Sequence, residues 1–135
     1  MTPAPLPYLR EFYEVMGDCG MQRPTWEMFC AHAADNAELW PLVKGGKVVG
    51  GVFFKGHTIH IAVKPEWQGR WLTKRLRRAW DTYTHECELF AHPHTTNKAA
   101  CALAERLGFK FRRHDGEFSI YSKEATCQLQ LSRPC

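Results

Sequence analysis

Residues 39–63 limit the choice of fold more than any other part of this 135-residue chain. Three short segments rich in β-branched and aromatic residues follow one another there, at 39–43, 48–54 and 57–63. Two turns separate them: Gly45-Gly46, a dipeptide suited to the primed turns of hairpins, and Lys55-Gly56. In the third segment apolar residues recur at every second position, as on one face of a strand. The spacing predicts an antiparallel meander of three strands.

The chain before the meander has a helical period. Four apolar residues recur there at the spacing of one helix face: Tyr8, Phe12, Val15 and Met16. Residues 17–20 would end this helix, and Pro24, then Thr25 and Trp26, would open a second one, with Thr25 as its N-cap or a residue of its first turn. The apolar residues of the second predicted helix are Trp26, Phe29, Cys30, Ala33 and Ala37.

Helices and strands alternate after the meander. Residues 69–83 predict a helix whose buried face contains Leu72, Leu76, Ala79 or Trp80, and Tyr83. Residues 86–91 predict a fourth strand, which we expect to run parallel to the third because a whole helix separates them. Thr96 or Asn97 would cap a last helix ending at Gly108, with inward residues Ala100, Leu103, Ala104 and Leu107. Residues 109–122 predict a hairpin, and 123–135 are assigned no structure.

Composition excludes several classes of protein. A hydrophobic fraction of 44% and a charged fraction of 24% are those of an ordinary globular domain, not of a disordered chain. No apolar run approaches the roughly 20 residues of a membrane helix, and the first residues do not resemble a signal peptide. The six cysteines include no C-x-x-C pair, so we expect reduced thiols and a cytoplasmic location, without membrane partners.

Positive charge is concentrated in residues 64–78, which we call the basic face. Glu66 is its single acidic residue, against six basic ones: Lys64, Arg70, Lys74, Arg75, Arg77 and Arg78. Such a surface suits phosphate groups, whether they belong to a cofactor or to a nucleic acid. Trp67 and Trp71 lie within it and could stack on bases.

Two motifs resemble those of the GNAT superfamily of N-acetyltransferases. Residues 61–70, Ile-Ala-Val-Lys-Pro-Glu-Trp-Gln-Gly-Arg, resemble that family's strand, its V-x-P turn and the start of its Q/R-G-x-G-x-G/A loop. Residues 97–109 resemble its N-x-x-A…E-K/R-x-G-F helix. The resemblance covers residues 38–122. It implies one α/β (α+β) domain over 1–122, with a mixed, mostly antiparallel sheet, helices on both faces, and a tail at 123–135.

The resemblance also implies transfer of an acetyl or other acyl group from acetyl-CoA to an amine of a small molecule or protein. A helix that starts directly after a strand offers unpaired N–H groups and a positive dipole end to a pyrophosphate. The residues implied to hold the pyrophosphate are Gln68, Gly69, Arg70, Trp71, Leu72, Thr73 and Lys74. Backbone groups of Ile61, Ala62 and Val63, with the side chain of Asn97, would bind the rest of the cofactor.

Three positions depart from the family pattern. Trp71 and Thr73 stand where the later glycines of the loop are expected. The Trp71 side chain would either point into the core or obstruct the phosphate site. Ala104 stands where the family often has a tyrosine that protonates the leaving thiolate, and an alanine cannot donate a proton. The acid would then be another group, such as Tyr121, or water.

Histidines supply the candidate bases. His57 and His60 lie on the third strand, and His92 and His94 follow the fourth; His60 and His92 are the preferred candidates. A metal site built from His57, His92, His94 and a cysteine matches no known ligand spacing, so no metal is expected.

Two other function classes remain open. The altered loop and Ala104 favour a non-catalytic GNAT-like protein, for example a phage structural or host-interaction factor. The basic face favours a GNAT-like transferase that modifies DNA. The sequence identifies neither the acceptor amine nor the oligomeric state.

Overall fold

Helices and strands follow one another in the predicted order in the computed structural model, which describes residues 6–19, 22–85 and 88–125. The helices of this described part are α1 (Leu9–Asp18), α2 (Trp26–Ala33), α3 (Lys74–Thr84) and α4 (Lys98–Arg106). Its strands are β1 (Ala37–Lys44), β2 (Lys47–Lys55), β3 (Thr58–Val63), β4 (Leu89–Ala91), β5 (Lys110–Asp115) and β6 (Phe118–Lys123). A short 3-10 turn, Pro65–Trp67, follows β3.

The six strands form one sheet in the order β1-β2-β3-β4-β6-β5. The β1–β2 hairpin turns at Gly45 and Gly46, whose φ angles of 58° and 79° confirm the predicted primed turn. β3 and β4 are parallel and pair Thr58 with Phe90 and Ile59 with Ala91. The pairs β1–β2, β4–β6 and β5–β6 are antiparallel. The mixed, mostly antiparallel sheet predicted from the sequence is therefore confirmed.

The chain divides into two compact units. The first comprises Met1–Gly56 and His60–Trp71. Its core joins α1, α2 and β2 through aromatic rings: Phe53 is fully buried, and its ring centroid lies 6.1 Å from that of Phe12 and 5.3 Å from that of Phe29. Gly50 in β2 leaves room for the neighbouring backbone, because a Cβ there would lie 2.5 Å from the carbonyl oxygen of Ala62.

The second unit comprises His57–Ile59 and Leu72–Cys135. α3 and the end of α4 meet at Trp80, which is 2% exposed and whose indole N–H donates to the carbonyl of Leu107 at 3.2 Å. Gly108 follows with a φ of 98°, which confirms it as the glycine that ends α4. Phe109 packs beside Trp80, with ring centroids 6.1 Å apart.

Several boundaries differ from the prediction. Tyr8 precedes α1 in a left-handed conformation with its side chain 48% exposed, so the buried stripe begins at Leu9. Ala37 belongs to β1, because α2 ends at Ala33 and Asn36 takes a positive φ. α3 starts at Lys74, five residues later than predicted, and Tyr83 is 45% exposed.

The later boundaries also differ. Leu72 and Leu76 are only half-buried, as are Ala100 and Leu103 of α4. The described part of the fourth strand begins at Leu89, and residues 86–87 lie outside the described residues. β6 extends to Lys123, one residue into the predicted tail, of which 126–135 lie outside the described part. No helix in the described ranges is long and apolar enough to span a membrane.

Candidate active site

The loop that follows β3 begins where the sheet ends. The backbone N–H of Lys64 donates to the carbonyl of Val49 at 2.8 Å, and the 3-10 turn then carries the chain to Gly69. Gly69 has a φ of 81°, a left-handed conformation that favours glycine, and a Cβ there would meet no atom within 4 Å. Gly69 is the one glycine that this loop shares with the family pattern, and its left-handed backbone explains why a glycine is present at this position.

The basic side chains of the first unit gather around Trp67. The guanidinium carbon of Arg70 lies 4.7 Å from the centroid of the Trp67 ring, and the ammonium of Lys44 lies 5.6 Å from it. Lys64 makes a distant ion pair with Asp18 at 4.0 Å. Trp67 thus holds two cations by their attraction to its ring.

Trp71 is 5% exposed. Its indole is therefore directed into the protein and does not cover the exposed part of the loop. Of the two placements that the sequence left open, burial in the core is the observed one.

Thr73 caps the helix that follows the loop. Its hydroxyl oxygen accepts a hydrogen bond from the N–H of Leu76 at 3.1 Å, and its carbonyl accepts one from Arg77 at 2.9 Å. The first N–H groups of a helix have no partner within it, so those at the start of α3 point out of its N-terminus. A shallow groove of about 370 Å³ opens there, lined by Leu72, Thr73, Lys74, Arg77, Arg78 and Arg106. Its four cations and the helix dipole make the groove a site for negative charge.

The end of β3 accepts two side-chain hydrogen bonds. The carbonyl oxygen of Val63 accepts one from the amide of Gln68 at 3.0 Å and one from the thiol of Cys19 at 2.9 Å. Burial raises the pKa of the Cys19 thiol above its ordinary value of 9.0. Ala62 and Val63 are buried and Ile61 is half-buried, so their side chains pack while the strand backbone carries the polar groups.

Asn97 caps α4 as one of two predicted candidates. Its side-chain oxygen accepts a hydrogen bond from the N–H of Ala100 at 3.1 Å. The cap occupies the oxygen of the amide and leaves its two N–H donors for other partners. Asn97 is predicted both as one of two cap candidates and as a cofactor ligand, and its side chain has the groups for both roles.

The four candidate histidines lie in different surroundings. His60 is exposed on β3 in the first unit, where its ring centroid lies 6.2 Å from that of Phe53. His32 of α2, which the sequence analysis did not consider, lies 6.1 Å from the same ring. His92 is exposed in the second unit, just after β4.

The other two histidines are engaged within the second unit. Nδ1 of His57 lies 2.6 Å from the carbonyl oxygen of Glu88. His94 contacts the hydroxyl of Thr96 at 2.7 Å and the carboxylate of Glu117 at 3.7 Å. Within the described ranges no three histidine, cysteine or acidic residues are grouped as a metal site would require.

Tyr121 lies beside the face of α4 that lacks a tyrosine. It pairs with Ala91 across the sheet, is 6% exposed, and has the side chain of Cys101 near its hydroxyl. Burial, followed by the neighbouring Cys101 side chain, raises the pKa of Tyr121 above its ordinary value of 10.0. Cys101 precedes the buried Ala104 by three residues, so both lie on one helix face. That Cys101 lies near the candidate acid was not predicted from the sequence. The only sequence signal for this is its spacing of three residues from Ala104 on the same helix.

Comparison with known proteins agrees with this architecture. The family model described as Acetyltransferase (GNAT) family matches residues 6–109. The chain therefore belongs to the GNAT family of acetyltransferases. A search among curated protein sequences finds no match.

Solved structures share the fold at low identity. PaiA N-acetyltransferase from Thermoplasma acidophilum, in complex with coenzyme A, is 14% identical, with a TM-score of 0.70 over 90% of this chain and 95% of that one. The ribosomal-protein-S18-alanine N-acetyltransferase from Escherichia coli is 18% identical, with a TM-score of 0.69 over 88% of each chain. The Microcin C7 self immunity acetyltransferase MccE, in complex with acetyl-CoA and AMP, is 19% identical, with a TM-score of 0.63 over 92% and 90%.

Proposed function

We propose that the protein transfers an acetyl group from acetyl-CoA to an amine. The observation that carries this proposal is the N-terminus of α3, which is capped by Thr73 and opens into a groove lined by four cations. Structural relatives were solved with coenzyme A or acetyl-CoA bound. The acceptor is an amine of a small molecule or a protein. The free thiols of Cys19, Cys30 and Cys101 fit action in the reducing cytoplasm.

The diphosphate of the donor would bind the chain from Gln68 to Lys74. Backbone N–H groups after Gly69 and at the start of α3 would donate to its oxygens, and Lys74 would add charge. The buried indole of Trp71 supports this role, because it leaves the exposed side of the loop clear. Arg70, held over Trp67, would stay close to the loop as a second cation.

The pantetheine arm would bind the backbone of Ile61, Ala62 and Val63 in the manner of an added strand. The parallel pairing of β3 with β4 includes only Thr58 and Ile59, so it does not use these later groups. The amide N–H₂ of Asn97 would supply a further donor. Acetyl-CoA, when bound, provides a thioester carbonyl that an amine attacks.

His60 is the candidate that we favour as the base. A neutral imidazole can accept the proton that the acceptor amine must lose, and the exposed His60 ring is accessible to an acceptor. His92 is the alternative, since it directly follows the parallel strand β4.

Tyr121 is the candidate acid. Its raised pKa keeps the phenol protonated at neutral pH, so it can donate a proton to the departing thiolate. Its contact with Cys101 brings the hydroxyl to the α4 face where Ala104 stands. A phenol on β6 would in this way replace the one that α4 lacks.

Thermal unfolding with acetyl-CoA tests the proposal. A ligand that binds only the folded protein adds about 2.7 kcal/mol at a hundredfold excess over Kd, a rise of several degrees in Tm for a chain of this size. We expect a saturable rise for the wild type and a smaller one for Lys74→Met. The matched control is Lys47→Met, which changes an exposed lysine in the β1–β2 hairpin. Equal responses to acetyl-CoA, ATP and buffer would contradict the proposal.

The same preparation separates the two alternatives. A transferase that acts on DNA would bind a duplex through the basic face, and its affinity would fall steeply as salt is raised. A non-catalytic protein of phage origin would unfold cooperatively but would respond to neither ligand. Binding of acetyl-CoA followed by release of thiol with a panel of amines would favour the enzyme over both.

A further inference from the structure

A second cavity lies within the second unit. It has a volume of about 460 Å³, is open to solvent on one side, and is lined by α3, the residues that follow α4, and the β5–β6 hairpin. Lys123, which lines it, pairs with Leu89 at the start of β4. Lys123 does not line the groove at the start of α3, although Arg77 lines both. Its size is that of a site for a small molecule.

Lys123 is an unusual lining residue because it is 7% exposed. Its stem runs past Gly108, with Cε 3.5 Å from the place that a Cβ would occupy there. Within the described residues its ammonium has no hydrogen bond or ion pair, and no buried side-chain nitrogen or oxygen there lacks a partner. The stem of Lys123 is therefore buried while its ammonium is open to solvent, where an anion can reach it.

The carboxylates of the cavity already have partners. Asp81 accepts a hydrogen bond from Arg77 at 3.1 Å, and Glu124 lies 3.6 Å from Arg112. Arg112 also donates to the hydroxyl of Ser122 at 2.6 Å. Lys110 adds a further cation to the lining. The cavity therefore has an excess of positive charge, and the Lys123 ammonium is not ion-paired to either carboxylate.

We propose that this cavity binds a small oxyanion, a phosphate or a carboxylate, with Lys123 Nζ as its principal ligand. The ion-paired Arg77 and Arg112 and the exposed Lys110 would surround the anion. Lys123 lies outside the groove proposed to bind acetyl-CoA, so the proposal does not depend on the transfer reaction.

The proton on Lys123 gives the site a pH dependence. Burial lowers the pKa of the Lys123 amine below its ordinary value of 10.5, Asp81 opposes this shift, and Arg77 adds to it. A bound anion would favour the charged amine and raise this pKa again. Anion affinity should therefore weaken as the pH rises toward 10.5, and the weakening should begin below that value.

Titration of the full chain with inorganic phosphate and with succinate, at constant ionic strength, tests the proposal. Thermal unfolding or heat of binding would be measured for the wild type, Lys123→Met, Lys123→Arg and the control Lys47→Met. We expect saturable binding of one or both anions, weakened about tenfold or more in Lys123→Met, since a hydrogen bond to a charged group is lost. Lys47→Met should bind like the wild type, and Lys123→Arg should keep most of the affinity.

A further variant distinguishes this cavity from the groove at the start of α3. Lys74→Met should keep the anion affinity. If Lys74→Met loses the affinity while Lys123→Met keeps it, the anion binds at the start of α3 and the proposal is wrong. Absence of saturable binding in the wild type would also overturn it. If Lys123→Met does not fold, the comparison uses Lys123→Arg and the pH profile of the wild type. That profile should show anion affinity falling at alkaline pH. Repeating the titration with saturating acetyl-CoA should still show saturable anion binding that depends on Lys123, whatever the outcome for the transfer reaction.

Discussion

At the scale of single residues, Tyr121 carries the clearest chemical argument. Position 104 holds an alanine, so α4 has no phenol at this position, and sequence reasoning named Tyr121 only as one candidate on the last strand. The structure adds that the Tyr121 hydroxyl lies near Cys101, on the face of α4 that contains Ala104. Its catalytic role stays a proposal that a single substitution can test.

We expect Tyr121→Phe to lower kcat for acetyl transfer by about a hundredfold, as general acid catalysis typically contributes, with little change in KM for acetyl-CoA. The measurement is thiol release from acetyl-CoA with an accepted amine, together with Tm to show that the fold is kept. Tyr83→Phe is the matched control, because Tyr83 is exposed on α3. An unchanged kcat in Tyr121→Phe would leave water or another group as the acid.

At the scale of elements, the start of α3 shows what the sequence could not reveal. The period of the apolar residues indicated a helix from 69, but Gly69 takes a left-handed conformation and Thr73 provides the cap. Hydrophobic spacing cannot detect either feature, and a threonine at a glycine position gives no sign that it will cap a helix. For α2, the sequence predicted Thr25 either as the cap or as a first-turn residue, because Pro24-Thr25 directly precedes an apolar run, and the structure has it as the cap.

These two caps allow a matched comparison. Thr73→Ala and Thr25→Ala each remove a side-chain acceptor, from Leu76 N–H and Met28 N–H respectively. We expect both to lose about 1 kcal/mol of unfolding free energy, measured in urea. Only Thr73→Ala should also weaken acetyl-CoA binding, since it disturbs the helix start that receives the diphosphate. Equal acetyl-CoA affinity in the two variants would argue against a diphosphate at α3.

At the scale of the whole molecule, the order of the elements along the chain and the direction of the fourth strand were the most predictable features, whereas the place of β6 between β4 and β5 was not predicted. Glycine turns fixed the meander, and the helix between β3 and β4 fixed their parallel pairing. For the candidate site, the sequence predicted which segments of the chain take part but not how their side chains are arranged. Which side chains are buried, such as Trp71 and Tyr121, depends on contacts between residues distant in sequence. The cavity at Lys123 had no sequence signal, because the residue fell in a segment to which no structure was assigned.

Stability should also depend on pH at the level of the whole protein. The folded state lowers the pKa of Lys123, so between that lowered value and 10.5 the unfolded chain binds more protons, and this lysine's contribution to stability rises with pH. We expect wild-type stability to increase relative to that of Lys123→Met as the pH approaches 10.5. Urea unfolding of both proteins from neutral to alkaline pH measures it. Parallel pH profiles would contradict the burial of this charge.

Cys19 and Tyr121 act in the opposite direction. Because the folded state raises the pKa of each, their contributions are fully present below 9.0 and 10.0, respectively, and are lost as the pH rises through the higher folded values. The wild type and Lys123→Met both contain Cys19 and Tyr121. The difference between their unfolding free energies therefore does not include the contributions of these two residues.

The two outermost strands of the sheet have a consequence for the behaviour of the protein in concentrated solution. β5, at one edge, has every residue exposed, includes Lys110, Arg112 and Arg113, and is irregular between Phe111 and Arg113. β1, at the other edge, contains Pro41, which has no N–H to offer a neighbour. Charge, irregularity and proline each discourage a foreign strand from extending a sheet. Both borders are thereby protected against fibril-like growth, so the chain should remain dispersed at concentrations where an unguarded open sheet would aggregate.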